Sequence, residues 1–370
     1  MKIYLVGGAV RDKLLGLAIK ERDYVVVGGT ETAMLQQGFR QVGKEFPVFL
    51  HPQTREEYAL ARMERKVKAG YQGFTFDISP EVSLKEDLAR RDLTINAMAY
   101  DLDTGELIDF FGGQQDIQNK LLRHVSPAFV EDPVRLLRVG RFFARYAYLG
   151  FTVAPETLAL LQKMTVAGEV NALVAERVWK ELERALGEKN PEKFFELLDT
   201  CQALPILFPH LTVSSPGVQA LKQAASLTDD TVVRLAALLH ALPEAKKTIV
   251  ELCQRYRLPN AYREVALLTA LHVETLLSPP PLSAETVITL LNTLDIYRRE
   301  PRFRLVVMAS QAIAAARGLS FQASWWLEAA KVAQAVPVQE LIEKGFAANE
   351  LAIQLKEKRR EKIAKWLASR

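Results

Sequence analysis

Over the first third of the chain, apolar residues come in short runs. Beyond that they settle into three- and four-residue spacing. Apolar runs at residues 4–6, 24–27, 48–50, 57–61 and 107–110, divided by Gly, Pro and Asp, predict strands. Residues 10–17 predict the helix that follows the first strand. Past Asp116 the strand pattern fades, and residues 133–148, 155–164, 176–186 and 193–198 predict helices. A small α/β domain to about residue 117 is therefore followed by an almost wholly helical remainder. Ser278-Pro279-Pro280-Pro281 marks a linker, because three prolines cannot continue a helix.

Composition narrows the class. A chain of 370 residues exceeds one ordinary core, so two to four domains are expected. With 49% apolar and 25% charged residues it reads as globular. No apolar run reaches the roughly 20 residues of a spanning helix. Arg11 and Asp12 interrupt the first apolar stretch too early for a secretory signal. Cys201 and Cys253 lie far apart without metal-ligand spacing, which predicts reduced structural thiols and a cytoplasmic location. The net charge is +4, and residues 118–150 alone hold six basic side chains against two acids, an excess equal to that of the whole chain. A polyanion would find its focus there.

The chemistry begins near the first strand. Gly7-Gly8 lets backbone amides approach a polyphosphate, and Arg11 adds charge at the start of the following helix. Glu21 and Asp23 come next, two positions apart at the head of the second strand. Alternation along a strand would put both carboxylates on one side, which suits Mg²⁺ held by acids and substrate phosphates. Metal-assisted nucleotidyl transfer is the chemistry suggested. Glu57, opening another strand, is either a third carboxylate for the metal or an ordinary surface acid.

Two further clusters carry arginines. In Arg90-Arg91-Asp92-Leu93-Thr94-Ile95-Asn96-Ala97 the arginines could bind a triphosphate and Asp92 a ribose hydroxyl, or the group could be a helix-end salt bridge. Asp132, Arg135, Arg138 and Arg141 recur every three residues, along one broad face of a helix opened by Pro133. Three arginines on one face repel unless something anionic lies against them. A carboxylate beside a guanidinium also presents an acceptor next to donors. Cytosine and adenine offer an amino donor beside a ring-nitrogen acceptor, whereas guanine and uracil put a carbonyl oxygen where the amino group would be. An Asp132–Arg135 pair could thus accept C and A and reject G and U without a nucleic-acid template. The basic run at residues 356–370 fits a solvated helix face slightly better than direct RNA contact.

With these elements in order, the chain resembles the bacterial CCA-adding enzymes, the CCA tRNA nucleotidyltransferases of class II, over essentially its whole length. The motifs that carry the resemblance are Gly7-Gly8-Ala9-Val10-Arg11-Asp12, Phe46-Pro47-Val48-Phe49-Leu50-His51-Pro52, the 90–97 segment, Leu122-Arg123-His124-Val125, Glu131-Asp132-Pro133 and Glu176-Arg177-Val178-Trp179-Lys180-Glu181. The resemblance implies a polymerase-beta-like α/β nucleotidyltransferase head (residues 1–117). An all-helical neck (118–188), body (189–277) and tRNA-binding tail (278–370) would follow. It implies addition of C, C and A to the tRNA 3′ end from CTP and ATP, with Mg²⁺ and release of pyrophosphate. Enzymes adding only CC or only A, a poly(A) polymerase and a non-catalytic tRNA-binding relative are the alternatives. Carried over by position, Gly8 and Arg11 bind triphosphate, and Glu21 and Asp23 bind metal. Arg91, Arg138 and Arg141 contact nucleotide, and Asp132 with Arg135 forms the template pair. The residues from 65 to 84 are long enough for the flexible loop that full CCA addition needs. Two departures stand out. The family has aspartate where this chain has Glu21, which predicts reduced but real catalysis. Some long members carry a phosphohydrolase module pairing His with Asp, but here the text is Leu239-His240-Ala241-Leu242-Pro243, which predicts no such activity.

Overall fold

A computed structural model describes residues 1–42, 48–66, 74–279, 282–337, 339, 342 and 348–369. Phe46 and Pro47 of the fourth-strand motif, the centre of the 65–84 loop, and Pro280 and Pro281 lie outside the described residues. The chain forms two compact units, Met1–Leu207 and Phe208–Arg370.

The first unit is built on a seven-stranded mixed sheet in the order β3-β4-β5-β2-β1-β8-β9. Its strands are β1 (Lys2–Val6), β2 (Asp23–Val27), β3 (Arg40–Val42), β4 (Val48–Leu50), β5 (Glu57–Leu60), β8 (Met98–Asp101) and β9 (Leu107–Asp109). A separate hairpin pairs β6 (Met63–Lys66) with β7 (Phe74–Asp77). Both faces of the sheet are covered, which is why the central strands read as continuous apolar runs rather than alternating ones. Leu5, Tyr24, Val26, Tyr58 and Met98 pack on one face with Val10 and Met34 from α1 (Gly8–Leu14) and α2 (Glu31–Gln36). Tyr4, Val6, Val25, Ala97 and Ala99 pack on the other with Leu84 and Leu88 from α3 (Leu84–Ala89). A capping box between Ser83 and Glu86 starts α3.

After α4 (Gly113–Asn119), strand β10 (Leu121–Leu122) pairs in parallel with β11 (Thr152–Val153). Between them runs α5 (Val134–Tyr146), which packs against α7 (Ala175–Leu186) and α8 (Glu192–Thr200). Gly140 makes the approach to α8 possible, since a Cβ there would sit 2.9 Å from the Phe194 ring. α6 (Pro155–Val166) and the short α9 (Leu204–Leu207) complete this unit.

The second unit is helical. α10 (Pro216–Leu227), α11 (Thr231–Leu239), α13 (Asn260–Leu277) and α15 (Glu300–Ala316) pack around Ala220, Ala224, Ala237, Val273, Ala312 and Ile313. The alanines let the helix backbones approach closely. α12 (Ala245–Arg255) packs on α13; α14 (Ala284–Thr293) and α16 (Ala323–Gln334) pack on the last helix, α17 (Ala348–Ala368). Several cations of α17 are tied down within this unit: Lys356 to Glu285 at 3.0 Å, Lys362 to the Ala335 carbonyl at 2.7 Å, and Arg359 over the Tyr297 ring at 3.4 Å. His240 ends α11, buried, with Nδ1 2.8 Å from the Ala237 carbonyl; burial lowers its basicity. Among the described residues no helix is long and apolar enough to cross a membrane.

Candidate active site

The turn between β1 and α1 sets the floor of the site. Gly7 has φ 68°, a left-handed conformation that favours glycine, and a Cβ on it would come within 2.8 Å of the Arg91 guanidinium. One turn on, Arg11 is buried and held from three sides. Its Nε donates to Asp12 Oδ1 at 2.9 Å, its Nη1 donates to Asn96 Oδ1, and its charge lies 5.4 and 5.2 Å from the centres of the Phe142 and Tyr146 rings. Asp12 in turn accepts from the Tyr146 hydroxyl (3.2 Å) and Arg145 (3.4 Å), fastening α1 to α5.

The acidic edge lies beside this turn. Asp23 is the first residue of β2, opposite Val6 in antiparallel register and beside Glu57 in parallel register. Burial pushes the Asp23 carboxyl above its ordinary range; the Arg91 charge opposes that rise and the Glu21 charge adds to it. Glu21 precedes the strand, so alternation along β2 does not extend to it as the sequence suggested, yet it lines the same cavity as Asp23. Glu57 is exposed and is not among the cavity's lining residues.

Arg90 and Arg91 are aimed by an acid three and four positions upstream. Asp87, wholly buried, accepts from Arg90 at 2.7 Å and from Arg91 at 3.2 Å. Asp92 is also buried. Its Oδ1 accepts from the Leu93 amide (2.8 Å) and Asn96 (2.9 Å), and its Oδ2 accepts from Arg138 at 2.7 Å. Burial alone would raise its pKa, but the Arg138 charge and these hydrogen bonds hold it well below the usual carboxylate range.

Each α5 arginine has an internal partner. Arg135 donates to the carbonyls of Arg90 (2.6 Å) and Ala128 (3.2 Å), and Arg138 donates to Asp92. Arg141 donates to Glu181 on α7 at 2.7 Å, while its charge sits 4.2 Å from the centre of the Phe142 ring. The protein's own acids and carbonyls thus take up these donors. Asp132 differs from expectation too. It lies before Pro133, outside the helix, with φ −119°, and Arg177 of α7 holds its side chain. Arg177 donates to both carboxylate oxygens, at 2.9 and 2.8 Å, and the Val134 amide donates to Oδ1 at 3.2 Å.

One cavity of 1040 Å³ is lined by Gly8, Glu21 and Asp23 together with Asp132 and Arg177. Residues 3–123 match the poly A polymerase head domain, and residues 150–214 match the family described as a probable RNA and SrmB-binding site of polymerase A. Together the two matches take in half of the chain. Among solved structures, a CCA-adding enzyme in an apo form is similar at 25% identity and TM-score 0.69, over 100% of this chain and 91% of that one. A tRNA-processing enzyme solved with CTP is similar at 25% and 0.67, over 98% and 97%. The Thermotoga maritima CCA-adding enzyme complexed with tRNA shares the fold at 24% and 0.65, over 100% and 91%. Residues 3–123 form a nucleotidyltransferase head of the poly A polymerase family.

In this nucleotidyltransferase α5 falls between the two matched segments, so the arginine row links the head to the following helices. Of the sequence candidates, Gly8, Arg11, Glu21, Asp23, Arg91, Asp92, Asp132, Arg135, Arg138 and Arg141 share the cavity. Among the described residues, no group of three His, Cys, Asp or Glu side chains could hold a metal ion, so Glu57 does not complete a protein-only site. Glu21 and Asp23 still fit a divalent ion. They are neighbouring acids whose mutual repulsion is felt at Asp23, and Mg²⁺ is usually bound by one or two carboxylates plus substrate phosphates. Sequence reasoning missed Asp87 and Tyr146, and took Arg145 only as one of the six basic side chains of residues 118–150. The spacing of Asp87 three and four positions before two arginines was the one local signal available for them.

Proposed function

We propose that this nucleotidyltransferase adds C, C and A to the 3′ end of tRNA from CTP and ATP, without a nucleic-acid template, releasing pyrophosphate. One observation carries the proposal. A carboxylate, Asp132, stands with a guanidinium on both oxygens in a cavity that the acid pair Glu21 and Asp23 lines together with Arg11 and Arg91. Full-length likeness to CCA-adding enzymes supports it.

In the reaction the tRNA 3′-oxygen attacks the α-phosphorus of the incoming nucleotide, its proton leaves, and the bond to the β-phosphate oxygen breaks. Arg91 faces the Gly7 turn and would meet the triphosphate there, while Arg138 and Arg141 offset charge on the leaving pyrophosphate. Asp87 and Asp92 hold Arg90, Arg91 and Arg138 in place before substrate arrives. Glu21 and Asp23 would hold a divalent cation, which lowers the pKa of the attacking hydroxyl and screens the phosphates. Mg²⁺ suits that donor set. Asp132 accepts the amino group of C or A and repels the carbonyl oxygen of G or U. Buried free thiols at Cys201 and Cys253, both pushed up to about 11 by burial, support a reducing, cytoplasmic setting.

The test is direct. The protein is incubated with tRNA ending before CCA and with each nucleotide singly and in combination, and the 3′ ends are sequenced. Extension to CCA followed by arrest is expected. Long A tracts, extension by CC or A alone, or binding without extension would each overturn the proposal.

A further inference from the structure

We propose, resting on the reading of the cavity as a nucleotide site, that Arg145 in the last turn of α5 binds the pyrophosphate portion of the incoming nucleotide. It would add one more substrate contact to those of Arg138 and Arg141 and receive the far end of the triphosphate.

Arg138, Arg141 and Arg145 follow one another at helical spacing on one face of α5, and all three line the cavity. Their commitments differ. Arg138 and Arg141 each donate to an acid at 2.7 Å, to Asp92 and Glu181 respectively. Arg145 meets Asp12 Oδ2 at 3.4 Å, near the outer limit of a hydrogen bond. Asp12 is meanwhile the close partner of Arg11, whose Nε and Nη2 stand 2.9 and 2.8 Å from its other oxygen, Oδ1. One carboxylate thus faces two guanidiniums, and the nearer one dominates its field. The Arg145 side chain is 30% exposed, with its charge 5.3 Å from the centre of the Tyr146 ring.

The surroundings carry a surplus of positive charge. The second acid here is Glu188, which also lines the cavity. Burial pushes its carboxyl above the ordinary range, and the charges of Arg145, Arg141, Lys20 and Arg11 oppose that rise. With Arg141 bonded to Glu181, and Glu21 and Asp23 given to the metal, Arg11, Lys20 and Arg145 stand against Asp12 and Glu188. A polyanion would neutralise that excess. Position agrees with charge. Arg135 lies in the first turn of α5 and Arg145 in its last, about 15 Å further along the axis, the scale of an extended nucleoside triphosphate. A nucleotide whose base is read at Asp132 would run its phosphates along this row. A guanidinium fork also matches phosphate oxygens, and the long contact to Asp12 is cheap to exchange for them.

The test is equilibrium binding of CTP and CMP to the full-length protein, with Mg²⁺ and without tRNA so that no transfer occurs. Arg145→Met should weaken CTP on the order of ten- to a hundredfold, as for a lost charge-assisted contact. CMP lacks the pyrophosphate portion and should weaken by less than about threefold. Arg145→Lys keeps the charge but not the planar fork; it guards against a folding defect and should recover part of the CTP affinity. A second comparison separates direct contact from bracing of Asp12. In an Asp12→Asn background, Arg145→Met should still weaken CTP more than CMP; disappearance of the effect would mean that Arg145 acts only through Asp12. Equal weakening of CTP and CMP, or none, would also overturn the proposal. If the native protein itself binds CTP no more tightly than CMP, the reading of the cavity fails, a result distinct from failure of Arg145 alone.

Discussion

Arg138 reaches from α5 to Asp92, with Nε and Nη2 both 2.7 Å from the same carboxylate oxygen, Oδ2. That contact ties the loop after α3 to a helix that lines the cavity. Asp92 is almost fully buried, and its Oδ1 is occupied by the Leu93 amide and Asn96, so loss of its charge would leave Arg138 and two donors without their acceptor.

Asp92→Asn should therefore destabilise the first unit by roughly 2–4 kcal/mol, toward the low side of a broken buried pair because Arg138 is a third exposed. The pH dependence has a definite sign. Because the folded pKa of Asp92 is depressed, its contribution is complete above the unfolded value of about 4 and is lost as pH falls toward the folded pKa. Urea unfolding at stepped pH checks this. The gap between the native protein and Asp92→Asn should be constant near neutrality and close below about pH 4. A gap that widens on acidification would contradict the assignment.

Gly7→Ala should impair triphosphate binding more than folding. The substitution places a Cβ in a left-handed conformation and 2.8 Å from the Arg91 guanidinium. The strain costs about 1–2 kcal/mol, and the displaced arginine leaves the position where phosphate would meet it. KM for both CTP and ATP should rise about tenfold or more, with near-native far-UV circular dichroism. Unchanged KM would show that Arg91 does not meet the triphosphate at this turn.

Glu21→Asp should raise the rate per bound metal. The glutamate puts its carboxylate one methylene further from the backbone than aspartate would, and Mg²⁺ tolerates little geometric error. Titrating Mg²⁺ at saturating nucleotide separates affinity from rate. If Glu21→Asp left the saturated rate unchanged, the longer side chain would carry no penalty.

The head was largely legible in the sequence because its central strands are buried on both faces and read as unbroken apolar runs. Runs at residues 4–6, 24–27, 48–50 and 57–61 fall on β1, β2, β4 and β5. β8 was not singled out although it lies next to β1. Its Met98-Ala99-Tyr100-Asp101 text is short and carries no β-branched residue. The first helix was placed two residues late because Gly7-Gly8 reads as a turn, whereas Gly8 already begins α1. The candidate residues of the site could be named from local spacing, but their pairings could not. Asp92 with Arg138 and Asp132 with Arg177 join positions 46 and 45 residues apart, and no local pattern reports such contacts. The same limit explains why three arginines on one helix looked unpartnered. Their acids and carbonyls come from the loop after α3, the turn Pro127–Glu131 and α7.

The central claim is that the acids at the head of β2 make nucleotidyl transfer possible at a site whose base is chosen elsewhere. Single-turnover incorporation of CMP and then AMP into tRNA lacking CCA, measured for Asp23→Ala beside the native protein, tests it most directly. Incorporation should fall on the order of a thousandfold or more, while binding of CTP and ATP keeps its preference over UTP and GTP. Incorporation at the native rate would contradict the account.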